Sequence, residues 1–477
     1  VSESKYYEIA RELEKLIDVG HYPEGSKLPT HRELAKEYST TAVTVAKAYK
    51  LLAEQGDIES FVGRGSFVKS KSHLKQAIHS QHVENEWNFS ILQPCFSHHL
   101  DALYRQLGQC VREPFSPSLF GYIEDTGCLN HKECGMKWMQ HYGLQVRSPE
   151  QVLLTNGAQH ALSTLIELYS KPGDCIAVEA LTYPGLTSII KALGRRAIGV
   201  EMDELGMTPS SLDSICLSEN PSLVIAVPSH QNPTAITMPL QRRKEIANIV
   251  QKHTVWLLED DLYSFLNTDV IAPISNFVPE KSFYITSLSK AISPGMRCGF
   301  VKVPQSQVQR LSSYIRTMVW HISPITFEVS ARLIQSGAAF KLAESQKMIA
   351  THRQALARDI LDSEILSSQN SSYHIWLTLP DEWEAHEFSM TAKERGMMVS
   401  EGHFFHYDDK AINAVRLSLM AIPEEQHLIE GLHSLKRLLD QRRTSKNWNQ
   451  VETTSVISKQ RIQWRAYNKI HSPLPLS

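Results

Sequence analysis

The chain has 477 residues, 42% of them apolar and 21% charged, with 49 Lys and Arg against 51 Asp and Glu and a formal net charge of -2. At about 100–200 residues per domain, this length holds two to four domains with ample core. The composition excludes a disordered or fibrous chain. The charge balance excludes a polybasic nucleic-acid coat or an acidic tail protein, while leaving room for a local DNA-binding module.

Residues 1–70 read as a compact helical module ending in a hairpin. Ile9, Leu13, Leu16 and Ile17 form the stripe of an amphipathic helix, which Pro23 and Gly25 break. Thr30-His31-Arg32-Glu33 has the pattern of a capping box, and Leu34, Ala35 and Tyr38 give the short helix an apolar side. After the turn Ser39-Thr40-Thr41, a third helix carries Val45, Ala48, Tyr49 and Leu52 on one face, and Gly56 ends it. Ile58–Phe61, the turn Val62-Gly63-Arg64-Gly65 and Ser66–Val68 predict a hairpin. This order is a winged helix-turn-helix. Its third helix suits the major groove of double-stranded DNA, and its wing the backbone or the minor groove. A winged-helix module that binds protein is the alternative use of the same fold.

The stretches GSKLPTHRELA, TVAKAYKLLAEQG and GRGSFV make residues 5–68 resemble the GntR family of bacterial transcription regulators. The resemblance implies DNA contacts from Arg32 and from the wing around Arg64 and Gly65. Where the family often has Ser-Arg before the Thr-Val of its recognition helix, this chain has Thr41 and Ala42 before Thr44-Val45. A guanidinium able to read guanine bidentately is therefore missing. Thr41, Thr44 and Lys47 remain as polar candidates, and the preferred DNA site should differ.

Residues 71–88 are polar without a sustained apolar period and read as a linker. Across 89–440, β-like runs (Gln151–Thr155, Cys175–Val178, Leu223–Val227, Val255–Leu258, Phe283–Ile285) alternate with helical periods. That alternation predicts an α/β domain, a mostly parallel sheet with helices on both faces. Residues 441–477 turn polar and basic and read as a solvated, partly disordered extension able to add phosphate contacts.

The chemistry lies at the carboxyl ends of these strands, where open α/β sheets bind ligands. Ser287-Leu288-Ser289-Lys290 follows one strand, and Arg297 lies seven residues on. A lysine in a small, hydroxyl-rich turn beside a cation suits a Schiff-base lysine next to a phosphate site. Asn156-Gly157-Ala158-Gln159 joins a strand to a helix whose N-terminus can hold a phosphate. Tyr183, Asn232, and Asp260-Asp261 with Tyr263 follow three further strands. Pyridoxal 5′-phosphate needs this set: a lysine, a carboxylate for the pyridine nitrogen, a stacking aromatic, donors to the 3-hydroxyl, and small residues with an arginine for the phosphate.

This order resembles the fold-type I aminotransferases over about residues 87–440. The resemblance implies Lys290 as the Schiff-base lysine and Asp260 as the pyridinium partner, with Asp261 as the alternative carboxylate. It implies Asn232 and Tyr263 at the 3-hydroxyl and Tyr183 stacked on the ring. Ala158, Gln159, Ser287 and Arg297 fall at the phosphate, with Tyr122 reaching the phosphate of a neighbouring subunit. Arg416 falls at the carboxylate of a substrate or effector. Two departures stand out: Ala235 where the family usually has Gly, and Leu129-Asn130-His131 where it has Leu-Arg.

A winged helix joined to such a domain resembles the MocR subfamily of GntR regulators. The combination implies a pyridoxal-phosphate-dependent transcription regulator, dimeric through its large domain, that senses an amine or amino acid. A working aminotransferase carrying a DNA-binding module, and a regulator of pyridoxal phosphate itself, are the alternatives. Cys128, His131 and Cys134 have helical spacing and His403 and His406 lie three apart, but neither group has a full local ligand set, so no metal is expected. Seven scattered cysteines without a CxxC pair, no polar-to-apolar leader pattern and no apolar run of the ~20 residues a membrane helix needs predict a reducing, cytoplasmic setting without membrane.

Overall fold

The computed structural model describes residues 5–18, 21–23, 25–55, 57–61, 64–69, 77–78, 86–96, 99–112, 114–122, 127–361 and 366–441. The chain divides into two compact units, Val1–Gln76 and Ala77–Ser477.

In the first unit, α1 (Lys5–Asp18), α2 (His31–Glu37) and α3 (Ala42–Gln55) precede β1 (Ile58–Phe61) and β2 (Gly65–Val68). The two strands pair antiparallel, with Ile58 opposite Val68. Ile9, Leu13, Ile17, Leu34, Val45, Ala48, Tyr49, Leu52, Ile58 and Val68 form the core, and Leu16 and Tyr38 pack beside it. Burial of each large aliphatic side chain contributes about 1.5–3 kcal/mol. The capping box forms as its sequence requires: Glu33 N–H donates to Thr30 Oγ1 at 3.3 Å, and Thr30 N–H to Glu33 Oε2 at 2.6 Å. The Tyr49 hydroxyl donates to the Pro29 carbonyl at 2.6 Å and so ties α3 to the start of α2. Gly56, Val62 and Gly63 lie outside the described residues.

The large unit is built on a seven-stranded sheet: β3 (Val152–Thr155), β4 (Cys175–Glu179), β5 (Arg196–Val200), β6 (Leu223–Ala226), β7 (Trp256–Asp260), β8 (Ser282–Ser287) and β9 (Gly299–Lys302). The strand order is β3-β9-β8-β7-β6-β4-β5. β8, β7, β6, β4 and β5 pair parallel, and β9 alone runs antiparallel to both neighbours. The short connection 288–298 explains β9, because a parallel return needs a crossover of about a dozen residues or more. Both faces are covered. In β6, Leu223 and Ile225 join the layer of Leu162, Leu165 and Ile190, while Val224 and Ala226 join that of Ile215, Ile246 and Val250.

A second, antiparallel sheet follows: β10 (Leu366–Ser367), β11 (His374–Thr378), β12 (Ser400–Glu401) and β13 (Ala414–Ser418), ordered β10-β11-β13-β12. It is a distinct sheet within the span expected as one α/β domain. Its strands are short, and Ile375, Leu377, Val415 and Leu417 share one core with the helix at 425–441.

Part of the expected linker 71–88 is built into this unit. Ala77 is fully buried, and Trp87–Asn88 pairs parallel with Met397–Met398. Trp87 also donates from Nε1 to the His427 carbonyl at 2.9 Å. Backbone pairing and one indole do this docking, so composition gave no sign of it. The rest of the linker and the tail at 442–477 lie outside the described residues. Among the described residues, no helix is long and apolar enough to cross a membrane.

Candidate cofactor pocket and nucleic-acid interface

A cavity of about 270 Å³ opens at the carboxyl ends of the parallel strands. It is lined by Ala158, Gln159, Tyr183, Asn232, Asp260, Tyr263, Ser287, Lys290, Arg297 and Arg416. Every in-chain cofactor residue expected from the sequence is therefore in one cavity. Tyr122, expected at a neighbouring subunit's site, stands outside it, 85% exposed, with its ring 5.7 Å from Trp320 and 5.8 Å from His321.

One end of the cavity is a cup for an anion. Gly157 caps the helix Ala158–Tyr169 at φ 78°. A Cβ there would lie 2.8 Å from Arg297 Nη2, so only glycine lets this guanidinium close over the turn. Arg297 Nη2 donates to the Asn156 carbonyl at 3.0 Å, which aims the fork across the helix N-terminus beside Ser287. Backbone N–H groups, the helix dipole and a guanidinium then converge on one point.

Lys290 and Asp260 occupy the middle. Lys290 Nζ donates to the Leu92 carbonyl at 2.6 Å. Burial, followed by the Arg416 charge, brings this amine down to about 8 against the pull of Asp260. Burial and the neighbouring Asp261 push the Asp260 carboxyl up to about 7, with Lys290 opposing. Asp260 Oδ1 is buried without a hydrogen-bond partner. Asp261, the alternative carboxylate, lies outside the cavity lining, and its Oδ2 accepts from the Tyr284 hydroxyl at 3.3 Å. Of the two carboxylates, Asp260 is the one that lines the cavity. The Tyr183 ring folds over Gly185, where a Cβ would come within 2.2 Å of it.

Arg416 marks the other end. Paired in β13 opposite Trp376 and Ser400, its guanidinium is fully buried. Nη1 donates to Asn232 Oδ1 at 3.0 Å, Nη2 donates to the Ser90 carbonyl and to Ser400 Oγ at 3.2 Å, and Nε has no partner. The Phe405 ring lies 5.0 Å from its Cζ. Burial lowers its pKa to about 10, with Tyr263 and Tyr183 opposing. The lining thus holds three cations, Lys290, Arg297 and Arg416, against the one carboxylate of Asp260.

That imbalance suits a ligand set with a phosphate at the Arg297 end and a carboxylate at Arg416. The unpartnered Asp260 Oδ1 suits a protonated ring nitrogen, and the lowered Lys290 amine suits a carbonyl. The residues present fit pyridoxal phosphate.

Sequence reasoning missed two parts of the site. Ile78, Ile91, Leu92 and Gln93 line the cavity from irregular backbone that carries no periodic signal. Glu179, next to the Asn232 turn, accepts from the Val227 N–H at 3.2 Å and from Gln231 Nε2 at 3.2 Å, and burial pushes its carboxyl up to about 8. The departures from the family pattern have structural readings. Ala235 takes φ 61°, a conformation in which glycine is unstrained. Asn130 accepts from Gln335, and His131 is buried against Glu328 at 3.0 Å. Cys134 Sγ faces the Ala331 carbonyl at 3.7 Å. His403 contacts Glu401 at 3.3 Å, and His406 contacts Asp408 at 2.5 Å. Among the described residues, no group of three or more His, Cys, Asp or Glu is arranged to hold a metal ion.

In the first unit, Arg32 and Arg64 are exposed. Gly65 takes φ 107°, and a Cβ there would meet Lys27 Cε at 2.6 Å. Thr41 serves as a cap of α3: the Thr44 N–H donates to its Oγ1 at 3.2 Å, and the two hydroxyls lie 2.9 Å apart. Lys47 is exposed, with Nζ 6.0 Å from the Tyr6 ring centroid.

Residues 113–435 match the family described as aminotransferase class I and II, and residues 5–68 match the bacterial regulatory proteins of the gntR family. The HTH-type transcriptional regulator YdeF of Bacillus subtilis is 30% identical over 440 residues, covering 91% of this chain and 94% of that one. The HTH-type pyridoxine biosynthesis transcriptional regulator PdxR of Corynebacterium glutamicum is 26% identical, covering 74% of this chain and 78% of its own. Among solved structures, the α-aminoadipate aminotransferase LysN of Thermus thermophilus aligns with a TM-score of 0.69 at 22% identity, covering 78% of this chain and 95% of that one. An archaeal alanine:glyoxylate aminotransferase aligns with a TM-score of 0.71 at 19% identity, covering 78% and 96%. The chain belongs to the HTH-type transcriptional regulators that join a GntR DNA-binding module to an aminotransferase class I and II domain, the domain combination of the MocR subfamily.

Proposed function

We propose that this chain is a cytoplasmic, homodimeric transcription regulator that holds pyridoxal phosphate on Lys290 and responds to an amino acid whose carboxylate binds Arg416. The observation that carries the reading is the cavity with three cations and one carboxylate, two of those cations set at opposite ends. When bound, the cofactor supplies a carbonyl for exchange with amines and an electron-withdrawing ring. The chain supplies the rest. Arg297 and the N-terminus of the helix from Ala158 hold the phosphate, and Tyr183 covers the ring face. Asp260 holds a proton on the ring nitrogen. Asn232, tied to Arg416, and Tyr263 orient the 3-hydroxyl. Beyond these groups the lining adds Ile78, Ile91, Leu92, Leu162 and Val227, which favours an effector with an uncharged side chain. Tyr122 and Trp320, exposed and packed on each other, support a dimer face on the large unit.

The test is absorbance of the purified, cofactor-loaded protein titrated with a panel of amino acids and matching amines, followed by binding to its own promoter DNA. A spectral change that alters DNA binding, without keto-acid release, supports the regulator. Steady release of keto acid moves the protein to the aminotransferase reading. Lys290→Ala is expected to remove the visible band of the lysine-bound cofactor, and a band that survives overturns the assignment of that lysine.

A further inference from the structure

The arginine at the carboxylate end of the cavity is joined to the chain that follows the DNA-binding module. Arg416 Nη2 donates to Ser400 Oγ at 3.2 Å, and the Ser400 hydroxyl donates its single proton to the Ala77 carbonyl at 2.5 Å. Ser400 and Ala77 are both fully buried. Ala77 is the first residue of the large unit after Gln76, and Ile78 lines the cavity itself. The same Nη2 also donates to the Ser90 carbonyl.

The three groups are coupled by elementary hydrogen-bond chemistry. A serine hydroxyl has one proton and two lone pairs, so Ser400 can accept from Arg416 while donating to Ala77. A cationic donor on the oxygen polarises its O–H and strengthens the outgoing bond. A ligand carboxylate that engages the guanidinium as a fork takes hydrogens that now point at Ser400 and Ser90. The outgoing bond to Ala77 weakens as that happens. A coupling of this kind needs a ligand that interacts differently with the held and released states, and the shared guanidinium supplies that difference.

We propose that Ser400 is the positioning residue through which occupancy of the Arg416 site governs how firmly the chain is held at Ala77, the point where it leaves the tether to the DNA-binding module. The proposal rests on the reading of the cavity as an amino-acid site. Hydrogen exchange of the peptide containing Ala77 and Ile78, measured on the full-length, cofactor-loaded protein, tests it in two arms. Without any amino acid, Ser400→Ala is expected to raise exchange about 5-fold, the equivalent of one net hydrogen bond, while Ser400→Thr stays near wild type. Equal exchange in wild type and Ser400→Ala overturns the anchor. In the second arm, an amino acid that shifts the cofactor spectrum is added. Wild-type exchange is expected to rise toward the Ser400→Ala level, and Ser400→Ala to show no further rise. An amino acid that shifts the spectrum yet leaves wild-type exchange unchanged overturns the coupling. If none of the twenty standard amino acids shifts the wild-type spectrum, the amino-acid reading of the cavity fails and the coupling falls with it, while the ligand-free comparison still decides the anchor.

Discussion

Lys290 and Asp260 line one cavity and act on each other's protons in opposite senses to burial. Burial and Arg416 bring the Lys290 amine down to about 8 while Asp260 resists. Burial and Asp261 push Asp260 up to about 7 while Lys290 resists. An amine with an appreciable neutral fraction near physiological pH can act as a nucleophile, and a carboxyl poised near 7 is ready to ionise beside a ring cation.

The lowered Lys290 pKa sets a pH dependence. Coupling to a carbonyl needs the neutral amine, so the rate at which added pyridoxal phosphate joins the apo protein should climb with pH and level off above about 8. At pH 7 about 10% of an amine with this pKa is neutral, far more than for an ordinary lysine. Stopped-flow absorbance across this range checks it. A rate still climbing steeply above pH 9 would show an unshifted lysine.

Asp260→Asn keeps the shape and removes the charge. Hydrogen bonds to charged groups are worth about 1.5–3 kcal/mol, so affinity for pyridoxal phosphate should fall about 10–100-fold. Equilibrium dialysis of the apo proteins measures it. Asp261→Asn, which alters a group outside the cavity lining, should affect cofactor affinity less; the reverse order would reassign the ring partner.

Arg416→Lys keeps a cation but loses the planar fork. The variant should bind the effective amino acid at least about 10-fold more weakly, with little change for the matching amine that lacks the carboxylate. Spectral titration of both ligands on both proteins makes the comparison. An equal loss for acid and amine would mean that Arg416 does not hold the carboxylate.

Arg32→Ala should weaken binding to the protein's own promoter and reduce the slope of log affinity against log salt by about one, as loss of one phosphate contact does. Arg64→Ala in the wing should do the same through a separate contact. Thr41→Ala should act differently, because its hydroxyl caps α3; its main effect should be on the stability of the module, read by thermal melting.

Much of the site was legible because its residues follow strands in sequence. Lys290, Asp260, Tyr183 and Asn232 each come just after a β-like run, and in a parallel sheet every such position falls on one edge. The capping box at Thr30 was legible for a similar reason, since both of its bonds span three residues. Arg297 was legible from its distance to Lys290. The glycine that admits its guanidinium, Gly157, became meaningful only when the strand β9 brought the two together.

By itself the sequence determined the elements and the chemistry they carry: period-two and helical patterns, the turn residues, and the set of side chains that a phosphorylated pyridine needs. These are local properties, decided by neighbours along the chain. The spacing to Tyr263 favoured Asp260 over Asp261, but only the tertiary structure showed Asp260 lining the cavity and Asp261 outside it, because adjacent residues at a strand end point to different surroundings. It alone inserted β9 antiparallel between β3 and β8 and set Arg416 opposite Ser400 in a separate small sheet. It also brought Ala77 to Ser400 and Leu92 to Lys290 from segments without any apolar period. Those contacts are made by backbone carbonyls, which every residue possesses, so no pattern of side chains could have announced them.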